Sequence, residues 1–441
     1  MHYNYFVDVS SVFFLVFLIG TAVKAVVGNT LDWMNSNKGD INRKLKVLHK
    51  IHPLMKKFFS RKSVLKAQEY NAEKNRFNDF WETTGSGIGT VALLCGISPF
   101  VLHLIISSFP SCSTTFHYIV FFLLLNIART LFSIPFALYD TFHIEEKYGY
   151  NKTTKKIFVT DTVKGFLVSS VFGFLGILIL DYVLTAFGPF SSYKVCVLVC
   201  GMILAGMVLE FLHMTVLIRI FNKLSPLEDR NLSRRIKRLM ESYGYKPSDV
   251  YVIDASKRSS KSNAFIGGFG KSRKIVLFDT LLKNYSHDEL IAILGHELAH
   301  GKLHHLVYNR IISAVVTLAT VFIVFSMVYN VNLYHAFGFS FVDETNLMGY
   351  SLIGFLLSFK IVGSVKWILC PVEAWFSRKC EYAADRYSVY YTKKKAALIS
   401  SLIKFTSENC GDAFPNKWYE SWNYSHPSIV NRINAIKEIK K

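Results

Sequence analysis

Leu294-Gly295-His296-Glu297-Leu298-Ala299-His300 carries an H-E-x-x-H pattern in a stretch that reads as helix. His296 and His300 are four residues apart, so they leave one helical face a turn apart. That spacing suits two imidazole nitrogens on one zinc ion. Glu297, beside the first ligand, is placed to take a proton from a zinc-activated water. Chance also produces the pattern in a chain with 14 histidines, so the motif favours a zinc hydrolase without settling it.

The 441 residues around it are 51% hydrophobic and 15% aromatic, with 37 Phe. Such a composition points to a multi-span membrane protein. Seven apolar segments are long enough to cross a bilayer, at 5–27, 84–108, 116–139, 165–187, 195–218, 311–330 and 347–371. The second begins with Gly85, Gly87 and Gly89, as expected of a helix packed closely on a neighbour. The first follows no basic n-region and reads as a span rather than a cleaved signal.

The net charge of +20 lies mostly in loops, so it reads as topology information and contact with anionic lipid, not nucleic-acid binding. Loops 28–83 and 140–164 are rich in Lys and Arg, whereas 109–115 and 331–346 have none. The positive-inside rule then puts the N-terminus in the lumen and the C-terminus in the cytosol. Seven scattered cysteines contain no C-x-x-C, so neither a disulfide framework nor a cysteine zinc site is expected.

Four regions follow: spans one to five with their basic loops at 1–218, a cytosolic block with the H-E-x-x-H helix at 219–310, spans six and seven at 311–371, and a second cytosolic block at 372–441. In the first block Pro226–Tyr243 reads as a basic amphipathic helix and Val250–Ile253 as a strand. Ala264–Phe269 and Ile275–Phe278 read as a hairpin around Gly270-Lys271-Ser272. Ser286-His287-Asp288-Glu289 has the form of a capping box opening the motif helix. A final helix is expected over Pro427–Lys440.

A zinc hydrolase needs three protein ligands and an open position. Glu381 is the best third candidate, and Asp385, a turn further on, could accept the free ring N–H of a ligating histidine. An exposed Arg378–Glu381 pair is the plainer alternative. Two spans separate His300 from Glu381, so the chain returns to the same face of the membrane, bringing His426 and Arg432 with it. His304, one turn past His300, shares its face and could support the site without being a ligand. His305 would lie roughly 140° round, on the surface.

The sequence resembles the type I CAAX prenyl proteases, integral-membrane zinc metalloproteases. The resemblance rests on Pro135-Phe136-Ala137-Leu138-Tyr139, Ile144-Glu145-Glu146-Lys147-Tyr148-Gly149-Tyr150-Asn151, Ser256–Ser260, Ser262-Asn263-Ala264, Arg273–Leu282 and Tyr424-Ser425-His426-Pro427 with Arg432. It implies a mainly α fold. Seven tilted helices surround a large water-filled chamber, and a cytosolic zinc metalloprotease domain with a small β-hairpin closes one end. It implies His296, His300 and Glu381 as ligands, Glu297 as base and His426 near the cleaved carbonyl. Arg432 and Asp385 would support the ligands, and Asn263 would bind substrate backbone. It further implies one zinc per chain and farnesylated or geranylgeranylated CAAX proteins as substrates. The family removes their last three residues, some members also cut upstream, and it resides in the endoplasmic reticulum and inner nuclear membrane. Gly301, where a relative has Trp, Ile266-Gly267-Gly268 and the short linker Lys283–Asp288 depart from the pattern and bear on the shape of the substrate groove.

Two other functions fit fewer of these residues. One is a broader quality-control protease of the same zinc class. The other is a transporter or receptor with a structural zinc, which the intact base Glu297 and the absence of paired Gly/Pro-broken spans oppose.

Overall fold

Apolar helices leave long rows of side chains uncovered by protein. On Lys155–Phe187, Val159, Val163, Leu167, Val171 and Ile179 are all exposed. Such surfaces suit lipid, since the helix satisfies its own backbone there. The computed structural model describes residues 5–36, 40–187, 192–212, 216–267 and 274–440. Among the described residues, five helices are individually long and apolar enough to span: Val12–Ser36, Thr114–Glu145, Lys155–Thr185, His305–Val328 and Leu347–Thr392. Arg61–Leu94 with Ile97–Ser108 makes a sixth if the pair, bent by 58°, counts as one span. The protein is therefore multi-pass. Seven spans were expected; the fifth expected segment is the apolar helix Ser192–Leu212, and residues 213–215 at its end lie outside those described.

The bend in the second span has a stated cause. Gly96 caps Ile97–Ser108 with φ +66°, and a Cβ there would meet the carbonyl oxygen of Tyr5 at 2.2 Å. Only glycine combines that backbone with that approach. At Gly338, φ +81°, an added Cβ would meet the same carbonyl oxygen at 2.1 Å, so the N-terminal segment runs between two glycines. The expected close packing at Gly85, Gly87 and Gly89 is not what forms. Nothing lies within 4 Å of a Cβ at Gly87 or Gly89, and Gly85 meets only Phe132 at 4.0 Å.

The segment 331–346, which has no Lys or Arg, is not a free loop. It begins with a short helix, Val331–Ala336, and buries Leu333, Tyr334, Phe337, Phe339 and Val342 between the spans. Its lack of Lys and Arg is accounted for in part by this burial. The last span runs on without a break, tightened once at Trp367–Leu369, into the helix Cys370–Thr392. One rod thus joins the membrane to Glu381.

Outside the spans, four strands form a mixed sheet: β1 (Leu224–Pro226), β2 (Val250–Ile253), β3 (Ala264–Gly267) and β4 (Lys274–Phe278), in the order β1-β2-β4-β3. β2 and β4 run parallel, while β3 pairs antiparallel with β4 and is an edge. The turn Gly270-Lys271-Ser272 and the loop residues 188–191 lie outside the described residues. Pro226 is in β1, not in a helix. The amphipathic helix starts later, at Arg230–Ser242, because Asp229 caps it through the Leu232 N–H. The closing helix is Ile429–Glu438, shorter than expected, and Lys395–Glu408 is a helix not foreseen.

Candidate metal centre

The helix His287–Lys302 starts at a true capping box, Ser286 with Glu289. Glu289 is buried and also accepts from Ser400 at 2.6 Å and Lys404 at 2.7 Å. Burial raises its pKa, but Lys404, Ser400 and Ser286 outweigh that and hold it below the usual value. A depressed carboxylate adds stability above its unfolded pKa and loses it as pH falls through the folded one. Glu289→Ala should therefore cost about 1–2 kcal/mol at neutral pH, the scale of a lost cap, and much less in acid. Thermal melts at the two pH values measure both.

Leu290, Ile291, Leu294 and Leu298 bury one face of this helix, and Gly295 lets it approach Cys370–Thr392. A Cβ at Gly295 would meet Thr392 Cγ2 at 2.6 Å and Ser388 Oγ at 3.0 Å. Ser388 Oγ donates to the Ala292 carbonyl at 2.7 Å, and Tyr243 Oη to that of Gly295 at 2.9 Å. This close crossing sets the distance between the histidines and Glu381.

Three donors converge. His296 Nε2 and His300 Nε2 are 3.1 Å apart, and each lies 3.3 Å from a different oxygen of Glu381. A tetrahedral ion with bonds near 2.0–2.1 Å holds its donors roughly 3.3–3.4 Å apart, so the set fits such an ion without rearrangement. Glu381 Oε2 is also buried without a well-formed hydrogen bond, although His426 Nδ1 is 2.8 Å away. That is an orphaned acceptor of the kind a cation satisfies. The exposed Arg378–Glu381 pair does not form: Glu381 is buried, and Arg378 donates to the carbonyls of Glu420 and Tyr424.

A second layer holds the first. His296 Nδ1 donates to Asp385 Oδ1 at 2.8 Å, which points Nε2 at the ion position. Arg432, also buried, grips Asp385 with two hydrogen bonds of 2.9 and 2.6 Å and places Nη1 3.3 Å from Glu381. Burial alone lowers the pKa of His296, but Asp385 and Glu381 overcome it and push it up to about 10 in the metal-free protein. Glu297 is half-buried and lines a cavity of about 150 Å³ with Tyr245, Ile266, His300, His305 and Asn309. Ile266 belongs to β3, so the edge strand borders the same cavity as the motif. Asn263, just before β3, is exposed and touches no donor; its Oδ1 accepts the N–H of Ala264.

His305 was misplaced by the helical count. The motif helix ends at Lys302, His304 takes φ +57°, and a new helix begins at His305. The restart turns His305 inward: it is buried, with Nδ1 3.0 Å from His300 Nδ1. His304, not His305, is left outside the site. Gly301 in the last turn was the sequence signal for the break. Because His305 fixes the ring of His300, His305→Ala is expected to weaken metal binding by roughly 10–100-fold, readable by competition with a chelator. Unchanged affinity would show that His300 needs no such partner.

Fold and donor set together define a multi-pass membrane metallohydrolase. Residues 226–440 match peptidase family M48, and residues 43–223 match the CAAX prenyl protease N-terminal region of five membrane helices. The chain is 37% identical over 336 residues to the probable CAAX prenyl protease 1 of Schizosaccharomyces pombe, covering 75% of this chain and 68% of that one. It is 30% identical over 423 residues to the CAAX prenyl protease 1 homolog of Mus musculus, covering 85% and 86%. Among solved structures, the crystal structure of S. mikatae Ste24p matches with a TM-score of 0.85 and 25% identity, over 97% of this chain and 99% of that one. The chain belongs to the CAAX prenyl protease 1 family of M48 metalloendopeptidases.

Proposed function

We propose that this chain is a zinc endopeptidase that removes the last three residues of farnesylated or geranylgeranylated CAAX proteins. The observation that carries the reading is the buried His296–His300–Glu381 set opening, through Glu297, on a cavity bordered by a strand edge. Relatives across 75–89% of the chain are named for CAAX proteins, which supports the substrate class. We place the enzyme in the endoplasmic reticulum membrane with seven spans, a lumenal N-terminus and the metal centre facing the cytosol, on the loop-charge argument.

When bound, zinc supplies Lewis acidity to water and to the scissile carbonyl. Glu297 takes the proton from the attacking water and returns it to the leaving amine. His426, 66% exposed, has room to turn from Glu381 and donate to the carbonyl oxygen as negative charge develops there. Asp385 and Arg432 keep His296 in its ligating tautomer and orientation. An extended substrate adds to β3, and Asn263 hydrogen-bonds its backbone.

The deciding experiment compares a farnesylated CAAX peptide with its unprenylated twin, using wild type and Glu297→Gln. Selective, Glu297-dependent loss of the terminal tripeptide from the farnesylated peptide is expected. Equal hydrolysis of both peptides would replace this reading with a broader quality-control protease.

A further inference from the structure

The stretch Ile144–Asn151 contributes nothing to the donor set, yet it is anchored against the sheet region. A π-helical turn, Asp140–Glu145, extends the helix Thr114–Tyr139, and such turns recur at functional positions. It delivers Glu145 into a half-buried cluster of two carboxylates and two ammonium groups. Lys261 Nζ donates to Glu145 Oε2 at 2.9 Å and to Tyr70 Oη at 2.7 Å. Tyr70 in turn donates to Glu145 Oε1 at 2.8 Å. Lys74 donates to the same oxygen at 3.0 Å and bridges to Asp140. Lys261 also sits over the Tyr150 ring, 4.6 Å from its centre.

The backbone follows the same line. Asn151 pairs antiparallel with Ser259. The Lys152 N–H donates to the Arg258 carbonyl and the Ser260 N–H to that of Tyr150, both at 3.0 Å. Arg258 itself is held by two hydrogen bonds to Asp161 at 2.6 and 2.8 Å. The Lys261 carbonyl accepts from Thr280 Oγ1 at 3.0 Å. Two residues further on, the Asn263 carbonyl takes the Phe278 N–H, and β3 begins. Lys261 is thus the last side chain bound to the membrane-proximal loop before the free strand edge.

We infer that Lys261 is a positioning residue: clamped by Glu145 and Tyr70, it fixes the height and angle at which β3 presents its edge and Asn263 to the substrate backbone. The clamp touches neither the metal donors nor Glu297, so it acts on substrate binding and not on the bond-breaking step. This rests on the strand-addition reading above. It explains why a glutamate, a lysine and two tyrosines from three separated segments meet roughly at the membrane surface in a half-buried, charge-balanced group. An ammonium gripped by a carboxylate and faced by two rings loses little freedom and holds its backbone in register.

The test uses full-length wild type, Lys261→Met, Lys261→Arg and Glu145→Gln on the farnesylated peptide and its unprenylated twin, with metal content measured in parallel. Lys261→Met is expected to raise KM about tenfold or more, the scale of a lost charge-assisted hydrogen bond, with kcat within about threefold of wild type. Metal content should not change. Lys261→Arg, which keeps the charge, should recover most of the KM. Glu145→Gln should reproduce the Met phenotype, and the double variant should cost no more than either single one. An unchanged KM in Lys261→Met, additive double-variant costs, or a fall in kcat with metal loss would each overturn the inference. If Lys261→Met fails to fold, Glu145→Gln and Tyr70→Phe carry the same expectation. Wild-type hydrolysis of the unprenylated twin alone would overturn the substrate reading, and the clamp comparison would then be made on that twin.

Discussion

Glu297→Gln is expected to keep the metal and lower turnover at least about a hundredfold, the low end for loss of a general base. The separation of the two effects follows from the geometry. The three donors come from His296, His300 and Glu381, and Glu297 is not among them. It lines the cavity with Ile266 and Asn309, the space the proposed mechanism assigns to substrate and water. Gln has nearly the same shape, so the helix packing built on Leu294, Leu298 and Gly295 is left alone. What Gln lacks is the ability to take a proton and hand it on. KM should move little, because the proton transfer belongs to the transition state. Metal analysis and a peptide assay on one preparation decide the matter. Near-normal cleavage at full metal occupancy would remove Glu297 from the mechanism.

Helical spacing made the motif legible, because i and i+4 share a face wherever the helix is intact. Both histidines and Glu381 do converge; the parity of two intervening spans only allowed it, and the family resemblance pointed to Glu381 as the third ligand. The same spacing failed at His305, where the helix stops and restarts within three residues. A count of residues per turn carries no information across such a break. The spans were legible as apolar runs, but their contacts were not. Glycines 85, 87 and 89 looked like packing positions, but a Cβ at Gly87 or Gly89 would meet nothing within 4 Å and one at Gly85 only Phe132. Gly96 and Gly338, unremarked in the sequence, are approached closely by the Tyr5 backbone. Contacts of that kind depend on which distant residue arrives, here Tyr5. The Glu145–Lys261 pair was hidden for the same reason: 116 residues separate two charges that sequence alone assigns to solvent.

Glu381→Ala is expected to lose both metal and activity, a larger effect than removing any supporting residue. Loss of an outer partner such as His305 lowers affinity by roughly 10–100-fold, and loss of a donor exceeds that. Glu381 is irreplaceable by its neighbours. Asp385, one turn further along the same helix, is committed to His296 Nδ1 and to two hydrogen bonds from Arg432. His426 is near enough to approach the ion, but its side chain is largely in solvent and nothing packs it there. The fold itself should tolerate the change better than the site does, because Arg432 keeps Asp385 as its counterion after Glu381 is gone. Metal content should therefore collapse while the melting temperature of the metal-free protein shifts little. Full occupancy in Glu381→Ala would rule out the ligand set. A metal-free protein that also unfolds would mean instead that Glu381 is needed to balance Arg432. The position of this residue gives the result a wider consequence. Glu381 rides on the helix that continues the last span, whereas His296 and His300 sit on a helix packed by the sheet region. A bound ion would therefore tie the membrane rod to the protease half, and its loss should loosen the contact of Cys370–Thr392 with His287–Lys302 around Glu381. Faster hydrogen exchange at 377–385 in the metal-free variant than in metal-loaded wild type would report that loosening directly.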